Sequence, residues 1–197
     1  MGKAKKRTLR TIITMIMVTA VLIPVYFYIT NRINNEEENP SIQKTEIEVL
    51  KEKDLELNYP ASPREVIKLY SRFLKSLYSD INEEDFNTLA IKIRDLYDNE
   101  LLGVNPEEEY LNNLSSEIAG HRKNGGKISN YLIEKSDLVQ YSEKEGKEYA
   151  TINASFTIWE KTGLTKTTEK FLLRKDSEGK WRILGWEIIP DIDIETD

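Results

Sequence analysis

His121 is the one histidine in the chain and cysteine is absent, which together remove most of the metal and nucleophile chemistry open to a protein. A zinc site needs three or four imidazole, thiolate or carboxylate ligands, and a cysteine nucleophile needs a thiol. His121 falls at the end of a helical pattern beside Arg122 and Lys123. Positive charge suits that end of a helix dipole, so a structural role is expected. Carboxylates are abundant, 34 in all. They gather as Glu36, Glu37 and Glu38, as Glu83, Glu84 and Asp85, as Glu107, Glu108 and Glu109, and as Asp191, Asp193 and Glu195. The second and third groups stand where helix starts favour negative charge. The first lies in a polar stretch, and the last lacks the glycine turn and bidentate glutamate of a calcium loop. Both read as solvated charge. No phosphate-cradling glycine loop, serine elbow or zinc-helix motif occurs. Enzymatic chemistry is therefore not expected, and no metal or other cofactor is implied.

Upstream of every acid lies an uncharged run from Ile12 to Ile29. As a helix it would cover about 27 Å, close to the hydrocarbon thickness of a bilayer. Ile12, Ile16, Val21 and Ile23 supply the apolar body of a transmembrane helix over 11–30. Pro24 is tolerated where neighbouring groups reclaim its freed carbonyl, and Tyr26, Phe27, Tyr28 and Ile29 end the span with rings suited to the headgroup layer. Lys3, Lys5, Lys6, Arg7 and Arg10 precede it. Basic flanks stay inside, which predicts a single pass with the amino terminus cytoplasmic and the carboxyl-terminal domain extracellular at the cell membrane. The rival is a cleaved secretory signal, whose one candidate site, Val18-Thr19-Ala20, would leave an apolar stub on the mature chain. Without cysteine there is neither a lipid-modified anchor nor a disulfide framework.

The whole chain carries a formal net charge of −6 although its first ten residues are strongly basic. The remainder is thus acidic enough to repel nucleic acid, which is excluded as a partner. The expected partners are the lipid bilayer, through the amino-terminal helix, and an envelope protein or cell-wall component. Nothing indicates an oligomeric state.

The expected organisation is a cytoplasmic basic tail over 1–10, the span over 11–30, and an acidic tether over 31–57 with a short helix from a Thr45/Glu48 capping box. A domain over 58–190 and an acidic tail over 191–197, expected to fray, complete it. Ser62-Pro63-Arg64-Glu65 is a helix opening, and Val66, Tyr70, Phe73, Leu74 and Leu77 give that helix one apolar stripe to about Tyr78. A second helix follows Asn82 and runs to Gly103, with Phe86, Leu89, Ala90, Ile93, Leu96 and Tyr97 inward. A third has Asn105 as cap, Pro106 at its first position and Tyr110, Leu111, Leu114 and Ile118 as its apolar face, ending at Gly125-Gly126. After Gly126 the period becomes two. Strands are expected over 127–140, 149–160, 165–175 and 181–189, with Ala150, Ile152, Ala154, Phe156 and Ile158 on the core side of the second. None of the strand residues expected to face the helices is a clear acid or base.

Three helices and then four strands predict an α+β domain, its helices on one face of a curved antiparallel sheet. That order, with Asp176-Ser177-Glu178-Gly179-Lys180-Trp181-Arg182-Ile183 and then Gly185-Trp186, resembles the NTF2-like (cystatin-like) cone. At a closer level, residues 58–70 (Asn-Tyr-Pro-Ala-Ser-Pro-Arg-Glu-Val-Ile-Lys-Leu-Tyr) and 179–186 (Gly-Lys-Trp-Arg-Ile-Leu-Gly-Trp), with the anchor, are similar to an uncharacterised family of single-pass proteins of Gram-positive bacteria. The resemblance implies a location and an architecture but no activity. A cone of this kind often holds a pocket, which Tyr70, Tyr110, Tyr131 and Trp186 could line; the bland reading is that such aromatics are core. The expected function is a non-catalytic binding or interaction module at the envelope. The alternatives are a structural subunit of a secretion, conjugation or wall-synthesis assembly, and a pocket enzyme of the isomerase or dehydratase kind.

Overall fold

A computed structural model of the chain describes residues 44–190 and 194–196. The basic tail, the run over 11–30 and the tether as far as residue 43 lie outside the described residues. The expected fold, a transmembrane helix, three helices and four strands, is corrected. Among the described residues the chain forms five α-helices and a five-stranded antiparallel sheet, and no helix is long and apolar enough to cross a membrane. The helices are α1 (Glu46–Glu52), α2 (Pro63–Leu77), α3 (Glu83–Lys92), α4 (Asn99–Val104) and α5 (Glu107–Lys123). The strands are β1 (Lys127–Ile133), β2 (Gln140–Lys144), β3 (Lys147–Glu160), β4 (Gly163–Lys175) and β5 (Trp181–Ile189).

Local chemistry explains most boundaries. Glu48 N–H donates to Thr45 Oγ1 while the Glu48 carboxylate accepts from Thr45 N–H, the reciprocal box that starts α1. Leu50 of α1 is fully buried and Leu55 nearly so, so the stretch read as the end of a tether is part of the folded unit, which takes in Lys44 onward. Ser62 caps α2 by accepting from Glu65 N–H, with Pro63 in the first turn. Asn82 caps α3 in the same way.

The expected second helix does not run unbroken to Gly103. After α3 it tightens into a 3₁₀ turn over Ile93–Leu96. Tyr97 then goes extended to bridge Ile183 in parallel, and Asp98 starts α4 by accepting from Glu100 N–H. Asp98 also receives Arg174, which fixes the break. Asn105 is not the cap of α5: its side chain donates back to the Leu101 carbonyl, and Pro106 precedes the helix without a side-chain cap.

Strand order is β1-β3-β4-β5, with β2 also on β3. The strand expected over 127–140 is two strands along one edge. β1 pairs the far half of β3, from Lys127↔Trp159 to Ile133↔Ala154, and β2 pairs the near half, from Gln140↔Thr151 to Lys144↔Lys147. The edge breaks where the Glu134 carboxylate, instead of a backbone carbonyl, accepts Asn153 N–H at 3.0 Å. The β2–β3 turn holds Glu145 and Gly146 at φ 54° and 72°, the left-handed pair of a two-residue hairpin. In the tail, the Glu195 carbonyl accepts Lys135 N–H at 2.9 Å.

The core lies between the helices and the sheet face bearing Ala150, Ile152, Ala154 and Phe156, all buried. α2 lies across β1, β3 and β5. Phe73, Phe171, Ile152, Leu173 and Ile183 are fully enclosed; each such side chain contributes about 2 kcal/mol of transfer free energy.

Candidate functional site

The sheet face that is packed tight under α2 opens at its other end, under α5, into a cavity of about 500 Å³. Its floor is Phe156 and Ile158 of β3, Thr167 and Glu169 of β4, and Trp186 of β5. α5 forms a wall through Tyr110, Asn113, Leu114, Glu117 and His121. Those positions recur at helical spacing, so one face of α5 looks into the space.

Aromatic rings line the inner end. Tyr70 lies 5.8 Å from Trp186 and 5.4 Å, edge-on, from Phe171 between ring centroids. Tyr97 stands 6.1 Å from both Trp186 and Tyr110, perpendicular to the latter. These separations are those of favourable ring pairs. The hydroxyls of Tyr97 and Tyr110 are 3.4 Å apart. Burial pushes the hydroxyls of Tyr70, Tyr97 and Tyr110 up, so they stay protonated and available as donors. The Arg94 guanidinium stacks behind the Tyr110 ring, 4.9 Å from its centroid, and does not line the cavity.

The charged groups are arranged unequally. On the floor, Glu169 Oε2 is buried without a hydrogen-bond partner. Burial first, and then the charge of Glu117, push this carboxyl up to about 7. Glu117 sits at the exposed rim and accepts from the Tyr78 hydroxyl, which burial and that bond push up. His121 meets Glu160 of β3 through Nδ1 at 3.0 Å and so ties the end of α5 to the sheet. It serves as a tie to the sheet more than as a dipole partner. Gly126 closes this corner: a Cβ there would stand 2.8 Å from the His121 carbonyl oxygen. Among the described residues, no group of three or more His, Asp or Glu could hold a metal ion.

Of the residues expected to line a pocket, Tyr70, Tyr110 and Trp186 come together here. Tyr131 does not; it lines a separate groove with Glu46, Ile47, Arg72 and Ser76. The expectation that no strand residue facing the helices is an acid is corrected by Glu169. Register places it opposite Ala154 on the core side of β4, in the series Thr165, Thr167, Glu169, Phe171, Leu173. That parity was the missed signal, as was Glu117 seven residues after Tyr110 on the inner face of α5.

A second cluster is structural. Arg174 donates to Asp98 at 3.0 Å and to Glu100 at 3.1 Å, and the side chains of Arg174 and Asp98 are only 13% and 5% exposed. The two stretches that carry the resemblance also touch. The Tyr59 hydroxyl donates to the Trp181 carbonyl at 2.8 Å, and the Arg182 guanidinium lies 4.5 Å from the centre of the Tyr59 ring.

Compared with known proteins, residues 1–186 match the model of a family described as Domain of unknown function (DUF6715). No curated protein matches the chain.

Proposed function

The chain belongs to that family, and on this premise we propose that it is a binding module of the cell membrane which takes a small organic ligand into the cavity under α5. The observation that carries this reading is the cavity itself: a space of about 500 Å³ walled by Tyr70, Tyr97, Tyr110 and Trp186, with one carboxyl oxygen of Glu169 on its floor lacking a hydrogen-bond partner. Largely apolar concavities with a few placed polar groups are the usual form of small-ligand sites. Binding without turnover is favoured because His121 and Tyr78 are already engaged, by Glu160 and Glu117.

Ligand-observed NMR of the full chain against a library of small organic molecules tests the reading. Bound molecules are expected whose signals disappear with Trp186→Ala and Tyr110→Ala. An empty screen, or binding indifferent to both changes, would overturn it.

The placement is part of the proposal and rests on sequence: the uncharged run from Ile12 to Ile29 and the basic residues before it support a single-pass chain with its acidic domain outside the cell. The finer kinship, to single-pass Gram-positive proteins with NTF2-like exported domains, is proposed on the stretches 58–70 and 179–186. A reporter fused after residue 197 is expected to be extracytoplasmic; a cytosolic reporter would refute the placement.

One observation favours a second reading. A buried carboxyl titrating at about 7 has the pKa of a general base at neutral pH, which fits an isomerase or dehydratase acting beside a carbonyl. Solvent deuterium exchange into a captured ligand, abolished by Glu169→Gln, would select that reading over simple binding.

A further inference from the structure

The charge lining the cavity is one-sided, the Arg94 guanidinium standing behind the Tyr110 ring and outside the lining. Glu117, Glu160 and Glu169 line it, no lysine or arginine does, and its single imidazole is held by Glu160. Only one of these carboxylates, Glu160, has a basic partner inside the cavity. Among the described residues Glu169 Oε2 has no hydrogen-bond partner, and Glu117 accepts from a neutral tyrosine hydroxyl. A buried carboxylate without a counter-charge is costly, and the missing complement is a cation. The walls beside it are ring faces and edges of Tyr70, Tyr97, Tyr110 and Trp186, which attract a cation through their quadrupoles and an alkyl body through burial. The space is far larger than a bare ion needs, and no three-ligand metal group exists among the described residues.

Building on the small-ligand reading above, we propose that the cavity binds an organic ammonium ion, its nitrogen between the Glu169 carboxylate on the floor and Glu117 at the rim, its carbon body against Tyr70, Tyr97, Tyr110 and Trp186. The ammonium supplies the counter-charge that Glu169 lacks, so binding favours the ionised carboxylate and releases a proton wherever Glu169 was protonated. The titratable groups facing Glu169 are Glu117 from α5, Tyr70 of α2 and Tyr78 at its end, Tyr97 and Tyr110, with His121 and Glu160 at the far corner. The tyrosines stay neutral throughout the range of interest.

Tetramethylammonium, choline, butylammonium and the uncharged choline isostere 3,3-dimethylbutan-1-ol are to be titrated into the full chain, following the Trp186 indole by NMR. At least one ammonium is expected to bind below about 10 mM and at least about tenfold more tightly than the isostere. Tetramethylammonium keeps its charge at every pH, so its profile belongs to the protein. Its affinity is expected to fall about tenfold from pH 8 to pH 6 as Glu169 takes up a proton. Glu169→Gln is expected to abolish that pH dependence, and His121→Gln to leave it. Equal binding of choline and its isostere would overturn the ammonium inference while leaving the small-ligand reading intact. No binding by any of the four would overturn the ammonium inference, and the library screen then decides the broader reading. Should Glu169→Gln fail to fold, the comparison of choline with its isostere still decides, because it needs no variant.

Discussion

α2 and α5 are 15 and 17 residues long and reach the same sheet, yet α2 buries nine side chains whereas α5 fully buries only Ile118. The inner face of α2 is a continuous apolar stripe seated on Ile152, Phe171 and Leu173. The inner face of α5 mixes Tyr110, Asn113, Leu114, Glu117 and His121 over open space. The one helix closes a core and the other walls a cavity. Tight packing is thus concentrated at the α2 end and open space at the α5 end, where the proposed ligand would sit; binding elements are commonly drawn from the less stable parts of a fold. The two ends also treat buried acid oppositely. Asp98 is met by Arg174, and Glu169 Oε2 is met by nothing.

The largest effect is expected where the packed end is breached. Ile152, 1% exposed, faces α2, and Ile152→Asp would bury an unpaired charge costing more than about 4 kcal/mol. Circular dichroism should show no cooperative melt; a cooperatively melting variant would mean that the faces of β3 are reversed. Next is the answered acid: Arg174→Met leaves Asp98 buried and is expected to lower stability by about 3 kcal/mol in urea titrations.

The unanswered acid should behave in the opposite sense. Glu169 is held up at about 7 from an ordinary 4.5, so between those values the folded chain holds a proton that the unfolded chain has lost. Stability from this group is therefore full below about pH 4.5 and declines as pH rises through about 7. Glu169→Gln should accordingly stabilise by about 3 kcal/mol at pH 8 and by almost nothing at pH 4. Denaturant midpoints that move equally at both pH values would break the contrast. The smallest effect separates the helices themselves. Leu77→Ala at the α2 end should cost about 3 kcal/mol, and Leu114→Ala, beside the cavity, about 1 kcal/mol, because the latter side chain is only partly enclosed. Equal costs would mean that α5 is as tightly packed as α2.

Much of this architecture was legible because local signals and packing agree. The Thr45/Glu48 box, the Ser62-Pro63 opening and the alternation of β3 all appear where residue types demand them. The failures fall where a distant partner overrides local preference. A helical pattern runs through Tyr97, but its backbone is taken by Ile183, and Asp98 turns to Arg174 instead of continuing the helix. The strand through Glu134 breaks because that carboxylate takes Asn153 from the neighbouring strand. Similarly, Tyr70, Tyr110 and Trp186 were legible as aromatics that share one cavity, while Tyr131, although it faces the core side opposite Phe156, stands on the edge strand β1 and is drawn into the groove with Glu46 and Arg72 instead. Glu169 went unread because Lys166, Thr167, Thr168 and Lys170 surround it in β4, and its parity shows only against the register with Ala154.

Direct titration of the Glu169 side-chain carboxyl by NMR, with and without tetramethylammonium, bears most closely on the site. A midpoint at about 7 in the free protein, moving downward when the ammonium is present, is the expected result. A midpoint in the ordinary glutamate range that the ammonium leaves unmoved would contradict the account.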